Sequence, residues 1–400
     1  MPGEFSHYVA SYGLEQAVKI ARFTNATLEK MHEVAANANE RTRKAAEVRR
    51  VRSVVAFKDQ HFNAETEDSI AKYEEHVPEA RGSYRLLDAK AIKEDYGFKD
   101  CVGGLEEPSG AFWPYRLITG TYEALLSDHS SRFSIETETP VSEITSTEDG
   151  DYRFTLSTPR GFVQAKHVIH CTNGHASHLL PGLRGLIYPL RGTMSTQSPY
   201  AGFPYLGDKL SWALQIDPSY DAQKTTVEAG LYYITQNAKS GDIFIGGEYS
   251  NILEVLSSDD SKICETSRQN IMSVLPRIFE QYTEGTVKSV WSGILAFTAD
   301  GLPLVGQVPG FITKPDCSKA APVAGNQWIA AGFNGYGMPQ CWGAGEAVAK
   351  LILGGEQARS EVFERLPEAF EVTEERFNWK DGPKTGLNSF LEMMGLNAAA

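Results

Sequence analysis

Several things are missing from this 400-residue sequence, and each absence excludes a class. No apolar run approaches the ~18 residues that a membrane-spanning helix needs. The opening Met-Pro-Gly-Glu-Phe has neither the basic nor the apolar stretch of a secretory leader, and Asn397–Ala400 matches no targeting signal. The five cysteines, Cys101, Cys171, Cys264, Cys317 and Cys341, are odd in number, lie far apart and form no CxxC pair. That spacing suggests neither a zinc site nor a disulfide framework, and it leads us to expect a reducing, cytoplasmic setting. Basic residues are too few to form a stripe: 38 Lys and Arg face 51 Asp and Glu, a formal net charge of -13. Neither nucleic acid nor an anionic membrane surface is therefore an expected partner. No Ser/His/Asp triad, no metal-ligand set and no internal repeat is visible.

What remains has the composition of a globular chain, 42% hydrophobic and 22% charged, enough for one large domain or two ordinary ones. Apolar residues at three- and four-residue spacing predict a helix from Leu14 to about Val34. Arg41, Arg43, Lys44, Arg49, Arg50 and Arg52 then gather, as a phosphate site or as a solvated surface. Val51–Phe57 reads as a strand, Ala64–Glu75 as a helix, and Asp88–Glu94 as a short helix opened by an N-cap residue. Pro114–Ser127 reads as a helix with proline in its first turn. Phe133–Glu138, Val141–Ser146, Tyr152–Ser157 and Phe162–Ala165 read as strands of an antiparallel meander, with a turn at Glu148-Asp149-Gly150. His167–Thr172 is a short strand that stops at Asn173-Gly174, the kind of strand end at which an open α/β sheet binds ligand. Leu210–Ile216, Gly230–Thr235, Asp242–Gly246 and Thr286–Ile294 read as strands, and Ser261–Leu275 as a helix ending before Pro276. A final helix is expected from about Pro339 to Leu353, closed by Gly354-Gly355. Beyond it, 357–400 reads as an acidic tail that wraps the surface or frays.

Two segments carry chemistry. In the first, strand Gln327–Ala331 runs into a loop with Gly332, Gly335 and Gly337 that opens a helix at Pro339. Glycines let a backbone approach a flat ligand closely, and a helix start offers N–H donors and partial positive charge. Read alone, it is equally an ordinary glycine-rich turn. The second, Trp291 to Gly306, has a turn at Asp300-Gly301 and reads as a bent hairpin.

Together these segments resemble the D-amino-acid oxidase superfamily of FAD-dependent oxidoreductases, which includes glycine oxidase and sarcosine oxidase types. The tryptophan strand, the DGLPLVG turn, the GFNGYGM loop and the closing helix occur in that family's order. Upstream, Tyr12–Ile20 looks like the helix after the flavin motif, Val168–Gly174 like the strand passing the cofactor, and Tyr188–Gly192 like the entry to the substrate domain. The resemblance spans roughly residues 5–356.

That resemblance implies an α/β (mixed α+β) fold with a Rossmann-type FAD-binding domain and a β-rich substrate domain. The expected division is 1–45, 96–186 and 286–356 for the first, 46–95 and 187–285 for the second, and 357–400 for the tail. It implies oxidation of the C–N bond of a small-molecule amine or amino acid by hydride transfer to flavin N5, giving an imine and, with molecular oxygen, hydrogen peroxide. Gly332, Gly335, Tyr336, Gly337 and Met338 would meet the flavin ring. Cys171, Thr172, Asn173 and Gly174 would line the cofactor's middle, and Val141 would lie near the adenine. Gly293 stands where sarcosine oxidase types carry a flavin-linking cysteine, so the FAD is expected to be non-covalent. Cys171 and Cys341 are expected to be buried structural thiols rather than flavin links. Tyr336, Arg191 and Tyr233 are the candidate catalytic residues. Arg191 could hold a carboxylate or sit in a structural ion pair, and strand alternation allows Tyr232 or Tyr233, not both, to face the pocket. His170 and His175 are expected to be structural.

One family feature is not found: no GxGxxG loop between a strand and a helix occurs in the sequence. The preferred expectation is an incomplete version of a longer enzyme. The others are a unit supplied by another chain, or a non-catalytic relative that does not bind FAD and serves in binding or assembly. In each case apolar strand edges and helix faces should be exposed.

Overall fold

In the computed structural model, residues 2–147, 150–199, 202–313, 325–377 and 386–395 are described; Cys317 and most of the Glu148–Gly150 turn lie outside them. The fold is mixed α/β, as expected. A nine-stranded sheet is built from β1 (Arg49–Phe57), β2 (Arg85–Asp88), β3 (Gly103–Ala111), β8 (Ile187–Pro199), β9 (Leu210–Gln215), β10 (Ser219–Asp221), β11 (Thr226–Gln236), β12 (Ile243–Asn251) and β13 (Gly285–Thr298). Its order is β13-β8-β12-β11-β9-β1-β3-β2, with β10 on β11. The meander is a separate sheet of β4 (Glu143–Ser146), β5 (Phe154–Thr158) and β6 (Gly161–Ala165). A third sheet has the order β14-β15-β7, from β7 (Val168–His170), β14 (Leu304–Gln307) and β15 (Gln327–Ala331).

The large sheet draws in two segments expected on the cofactor side. β3 pairs with β1, and β13 pairs along its length with β8. The Trp291–Gly306 stretch is therefore not a hairpin: β13 lies in one sheet, and β14 pairs with β15 in another.

One face of the large sheet is covered by the Glu265–Ser273 and Leu275–Ile278 helices. Val54, Trp212, Ile234, Ile245, Ile271 and Phe279 fill the space between, each at most 3% exposed. Each such side chain contributes on the order of 1.5–3 kcal/mol by burial. The helical segment does not end before Pro276; it breaks and restarts there, because proline is accommodated in a first turn.

The first helix is longer than its periodic stretch, Phe5–Asn37, and bends at Gly13, whose φ of 80° no helix interior takes. Ala17, Ile20, Ala21, Thr24 and Thr27 form its buried stripe. The basic cluster is a surface feature: Arg41 pairs with Glu123, Lys44 with Glu40, Arg50 with Glu29 and Arg52 with Glu106. Asp88 caps the Ala89–Tyr96 helix by accepting from the Ala91 N–H.

Three further expectations fail. Phe133–Glu138 forms no strand, because no described strand lies beside it to complete a ladder, and Ile135 is exposed. The helix expected from about Pro339, observed as Cys341–Phe363, passes its predicted stop, and a further helix follows at Gly386–Met393. Gly355 does break the first of these, at φ 55°, but a second helical stretch resumes beyond. The acidic tail is not peripheral either: Leu366, Phe370 and Phe390 are buried in the packed clusters.

β7 is an outer strand with Ile169 exposed, and Ile118, Tyr122 and Leu126 on the Pro114–Asp128 helix are exposed as well.

Candidate active site

The Gly332–Met338 loop leaves the end of β15, and two asparagines fix its course. Asn173, at the end of β7, has a left-handed φ of 49° and accepts the Gly332 N–H at 2.9 Å through its side-chain oxygen. Asn334, with φ 50°, accepts the Thr298 N–H at 2.8 Å, donates to the Gly332 carbonyl at 2.7 Å, and donates its own N–H to the Ala296 carbonyl at 2.9 Å. Asparagine is the residue that tolerates this conformation while making local hydrogen bonds. The loop is thus stitched to the end of β13 as well as to β7.

Two glycines are required by contact. A Cβ on Gly332 would lie 2.6 Å from Thr298 Cγ2, and one on Gly174 would lie 2.9 Å from Ile294 Cγ2. Gly335 differs: its φ is 81°, but open space surrounds the position a Cβ would take. Met338, Cys171 and Cys341 are exposed. The two thiols are therefore not buried structural ones, and they sit near enough for Cys171 to add to burial in pushing the Cys341 thiol up to about 11.

Tyr336 points the other way along the loop. Its hydroxyl donates to the Glu4 carboxylate, 3.0 and 3.1 Å from the two oxygens. Glu4 precedes the Phe5–Asn37 helix, in a short turn held to the Gln60–His76 helix: the Ser69 hydroxyl donates to the Pro2 carbonyl at 2.5 Å and accepts the Ser6 N–H. The negative Glu4, then burial, raises the Tyr336 phenol well above its usual range. Burial, with Glu4 adding, raises the Glu107 carboxyl. Glu4, Glu107, Asn334 and Thr298 were not among the candidate site residues, and the reason is range: the two asparagine contacts join residues 36 and 159 positions apart.

The three candidate catalytic residues do not converge. In β8, Arg191 alternates with the buried Thr193, Ser195 and Gln197, on the helix-covered face. Its guanidinium is 3.0 Å from Glu254 Oε2 and donates to the Asp259 carbonyl. The structural ion pair is the geometry found. Tyr233 lies on the opposite face, while Tyr232 is 3% exposed in the core and accepts from Asn270 at 2.8 Å. His170 is buried with Nε2 2.9 Å from Gln327 Oε1, a satisfied structural histidine. Val141 stands half-buried ahead of the meander. Among the described residues no cluster of three or more His, Cys, Asp or Glu could hold a metal, and no helix is long and apolar enough to cross a membrane.

A family model described as DAO, FAD dependent oxidoreductase, matches residues 5–351. The chain belongs to this family. Solved structures agree on the fold. Glycine oxidase from Geobacillus kaustophilus superposes with a TM-score of 0.65 at 16% identity, over 87% of this chain and 81% of its own. L-proline dehydrogenase from P. horikoshii gives 0.61 at 17%, over 87% and 82%. Iminodiacetate oxidase from Chelativorans sp. BNC1 gives 0.59 at 16%, over 85% and 80%.

FAD is the cofactor of the DAO family. The described residues fit one end of it. The open side of Gly335, with the exposed Cys171 and Met338, suits the edge of a flat ring. No GxGxxG loop is present among the described residues to hold the diphosphate end, and Glu4 at the start of the Phe5–Asn37 helix disfavours an anion at that end; the helix starts afresh after Gly13.

Proposed function

We propose that this DAO-family chain oxidises the C–N bond of an amine or amino acid, with non-covalent FAD. The observation that carries the reading is the Gly335–Met338 face, held open between β7, β15 and β13 by Asn173 and Asn334. Glycine oxidase, proline dehydrogenase and iminodiacetate oxidase are all named for substrates with such a bond, which supports this choice of chemistry. When bound, FAD supplies the two-electron acceptor, and oxygen as the final acceptor would give hydrogen peroxide.

The chain's own residues do the rest. Cys171, Thr172, Gly335, Gly337 and Met338 bound the ring edge. Gly332, Asn173 and Gly174 keep the loop and the end of β7 against β13. Val141 keeps its proposed place near the adenine by resemblance alone. Tyr336, with its proton directed at Glu4, presents a neutral phenol oxygen as an acceptor toward the substrate side. Tyr233 lines the sheet above, and Arg191 braces the far face of that sheet.

A second reading, a relative that does not bind FAD and acts in binding or assembly, is favoured by the lack of a diphosphate cradle among the described residues and by Glu4 at the helix start. The visible spectrum of the purified chain with added FAD decides between them. A flavin band that survives desalting, releases free FAD on acid treatment, and bleaches anaerobically with an amine supports the oxidase reading. A chain that stays colourless supports the second.

A further inference from the structure

We propose that the cavity beside the break in the Cys341–Phe363 helix is a second small-molecule site, and that it takes a flat aromatic carboxylate. The proposal is independent of the amine-oxidation reading.

The cavity lies at the other end of β15 from the loop that would meet the flavin. Trp328, near the start of that strand, lines it. Gly332, where the loop begins, is four residues further on, ~13 Å along the chain. The cavity volume is about 220 Å³. Sites for drug-sized ligands run to ~300–1,000 Å³, so this one suits one or two fused rings and little more.

Two helical stretches and two strands make the space. The helix is interrupted at Gly355, φ 55°, and no atom lies within 4 Å of the place a Cβ would take there. Leu351 and Ile352 from before the break, and Arg359 and Phe363 from after it, all line the cavity. On the strand side, Gln307 and Trp328 pair directly across β14 and β15, so they project to the same side of the sheet. That side faces the helix, because Trp328 shares a buried cluster with Leu351 and Phe363. An indole, a phenyl ring and two aliphatic side chains thus supply the apolar walls, and aromatic walls favour a flat aromatic guest.

The polar lining is rich in donors. Trp328 Nε1 donates to His167 Nδ1 at 3.3 Å. A neutral His167 therefore carries its proton on Nε2, which has no partner among the described residues. Arg359 gives Nη2 to both oxygens of Glu371, at 2.6 and 2.7 Å, and its guanidinium lies 4.7 Å from the centroid of the Phe363 ring. Its Nε and Nη1 are left without a partner among the described residues. Glu371 is the one acid lining the cavity, and Arg359 already occupies both of its oxygens. An ammonium group would meet a guanidinium and no free acid. A carboxylate is the small planar group that accepts from several N–H donors, with a guanidinium among them.

The test is calorimetry on the full chain with three probes: indole-3-carboxylate, indole-3-carboxamide and cyclohexanecarboxylate. We expect indole-3-carboxylate to bind about tenfold more tightly than either of the others, since one lacks the charge and the other the flat ring. Arg359→Met keeps a long side chain beside Phe363 and should erase the preference for the carboxylate over the amide. Ile352→Phe fills the cavity and should abolish binding with unchanged circular dichroism. Excess FAD should leave the affinity for indole-3-carboxylate unchanged. No binding of indole-3-carboxylate, equal affinities for carboxylate and amide, a preference that survives Arg359→Met, or displacement by FAD overturns the proposal. So does undiminished binding by a folded Ile352→Phe chain; if that variant does not fold, the Arg359→Met comparison decides alone.

Discussion

The Tyr336 hydroxyl donates to the carboxylate of Glu4, 332 residues earlier in the chain, at 3.0 and 3.1 Å. This contact ties the start of the first helix to the loop that would meet the flavin. It also sets a titration. The negative carboxylate first, and burial second, keep the phenol protonated well past its usual range, with Tyr8 and Glu107 adding in the same direction. The folded chain thus holds a proton that the unfolded chain releases near pH ~10. The contribution to stability is complete below that pH and is lost as pH rises above it. Glu4→Gln removes the charge and keeps a hydrogen-bond acceptor. Its tyrosinate absorbance should therefore rise at lower pH than in the wild type, by an increment that Tyr336→Phe abolishes. Superimposable titrations would show that Glu4 does not control Tyr336.

Gly332 and Gly335 both have positive φ, yet their alanine variants should fail differently. At Gly332 the added methyl meets Thr298 Cγ2 at 2.6 Å, so steric overlap adds to the backbone strain. Gly332→Ala should cost roughly 3 kcal/mol, from about 1–2 of left-handed strain plus overpacking. At Gly335 the methyl meets nothing. Gly335→Ala should cost about 1 kcal/mol in stability but weaken FAD more than Gly332→Ala does per kcal/mol lost, because the methyl enters the open face. Thermal melts and FAD titrations of the two variants check the order. Equal ratios of affinity loss to stability loss would argue against a ring at Gly335.

How far the sequence showed this architecture depends on the range of the interactions involved. β15 is bounded by local signals, and both ends fall where its apolar run does. The Asp88 cap acts over three residues, and it too was legible. Phe133–Glu138 has strand composition, but a strand forms only beside a partner, and no partner is among the described residues. The faces of Arg191 and Tyr233 depend on registers between strands β8, β12 and β11, which alternation within one strand cannot supply. That is why the two residues read as neighbours in one site and lie on opposite sides of the sheet. The C-terminal segment misled for another reason. Its acidic composition masked Phe370 and Phe390, spaced too widely to show a period yet each wholly buried.

Arg376 shows what that segment contributes. Its guanidinium spans the Asp300 carboxylate, with Nε 2.6 Å from Oδ2 and Nη2 2.9 Å from Oδ1. It also donates to the carbonyls of Leu302, Pro303, Phe370 and Glu371. Tyr12, from the first helix, donates to the Asp300 carbonyl. One side chain therefore clamps the C-terminal segment onto the turn between β13 and β14. Arg376→Ala strands a partly buried carboxylate and four carbonyls, and should cost about 3 kcal/mol. Arg376→Lys should recover little, since an ammonium cannot span both carboxylate oxygens. Urea unfolding of the two variants checks this; a lysine variant of wild-type stability would mean that charge alone holds the clamp.

Acid stability should depend on Glu106. Burial by itself would raise its carboxyl, but hydrogen bonds from Tyr96, Arg85 and Arg52 outweigh that and hold it down at about 2. A carboxyl lowered on folding stabilises the chain fully above its unfolded value of ~4.3, and that stability drains away as pH falls toward about 2. Glu106 is half-buried and its partners Arg52 and Arg85 reach solvent, so screening leaves about 1–2 kcal/mol of the full difference at neutral pH. Replacing the carboxylate in Glu106→Gln should destabilise the chain at neutral pH and flatten the acid limb between pH ~4.5 and ~2. Urea midpoints measured across that range give both quantities in one experiment. Parallel acid limbs for wild type and variant would mean that the Arg52, Arg85 and Tyr96 contacts bind the protonated carboxyl as well as the carboxylate, and that the β1–β3 pair draws its acid sensitivity from elsewhere.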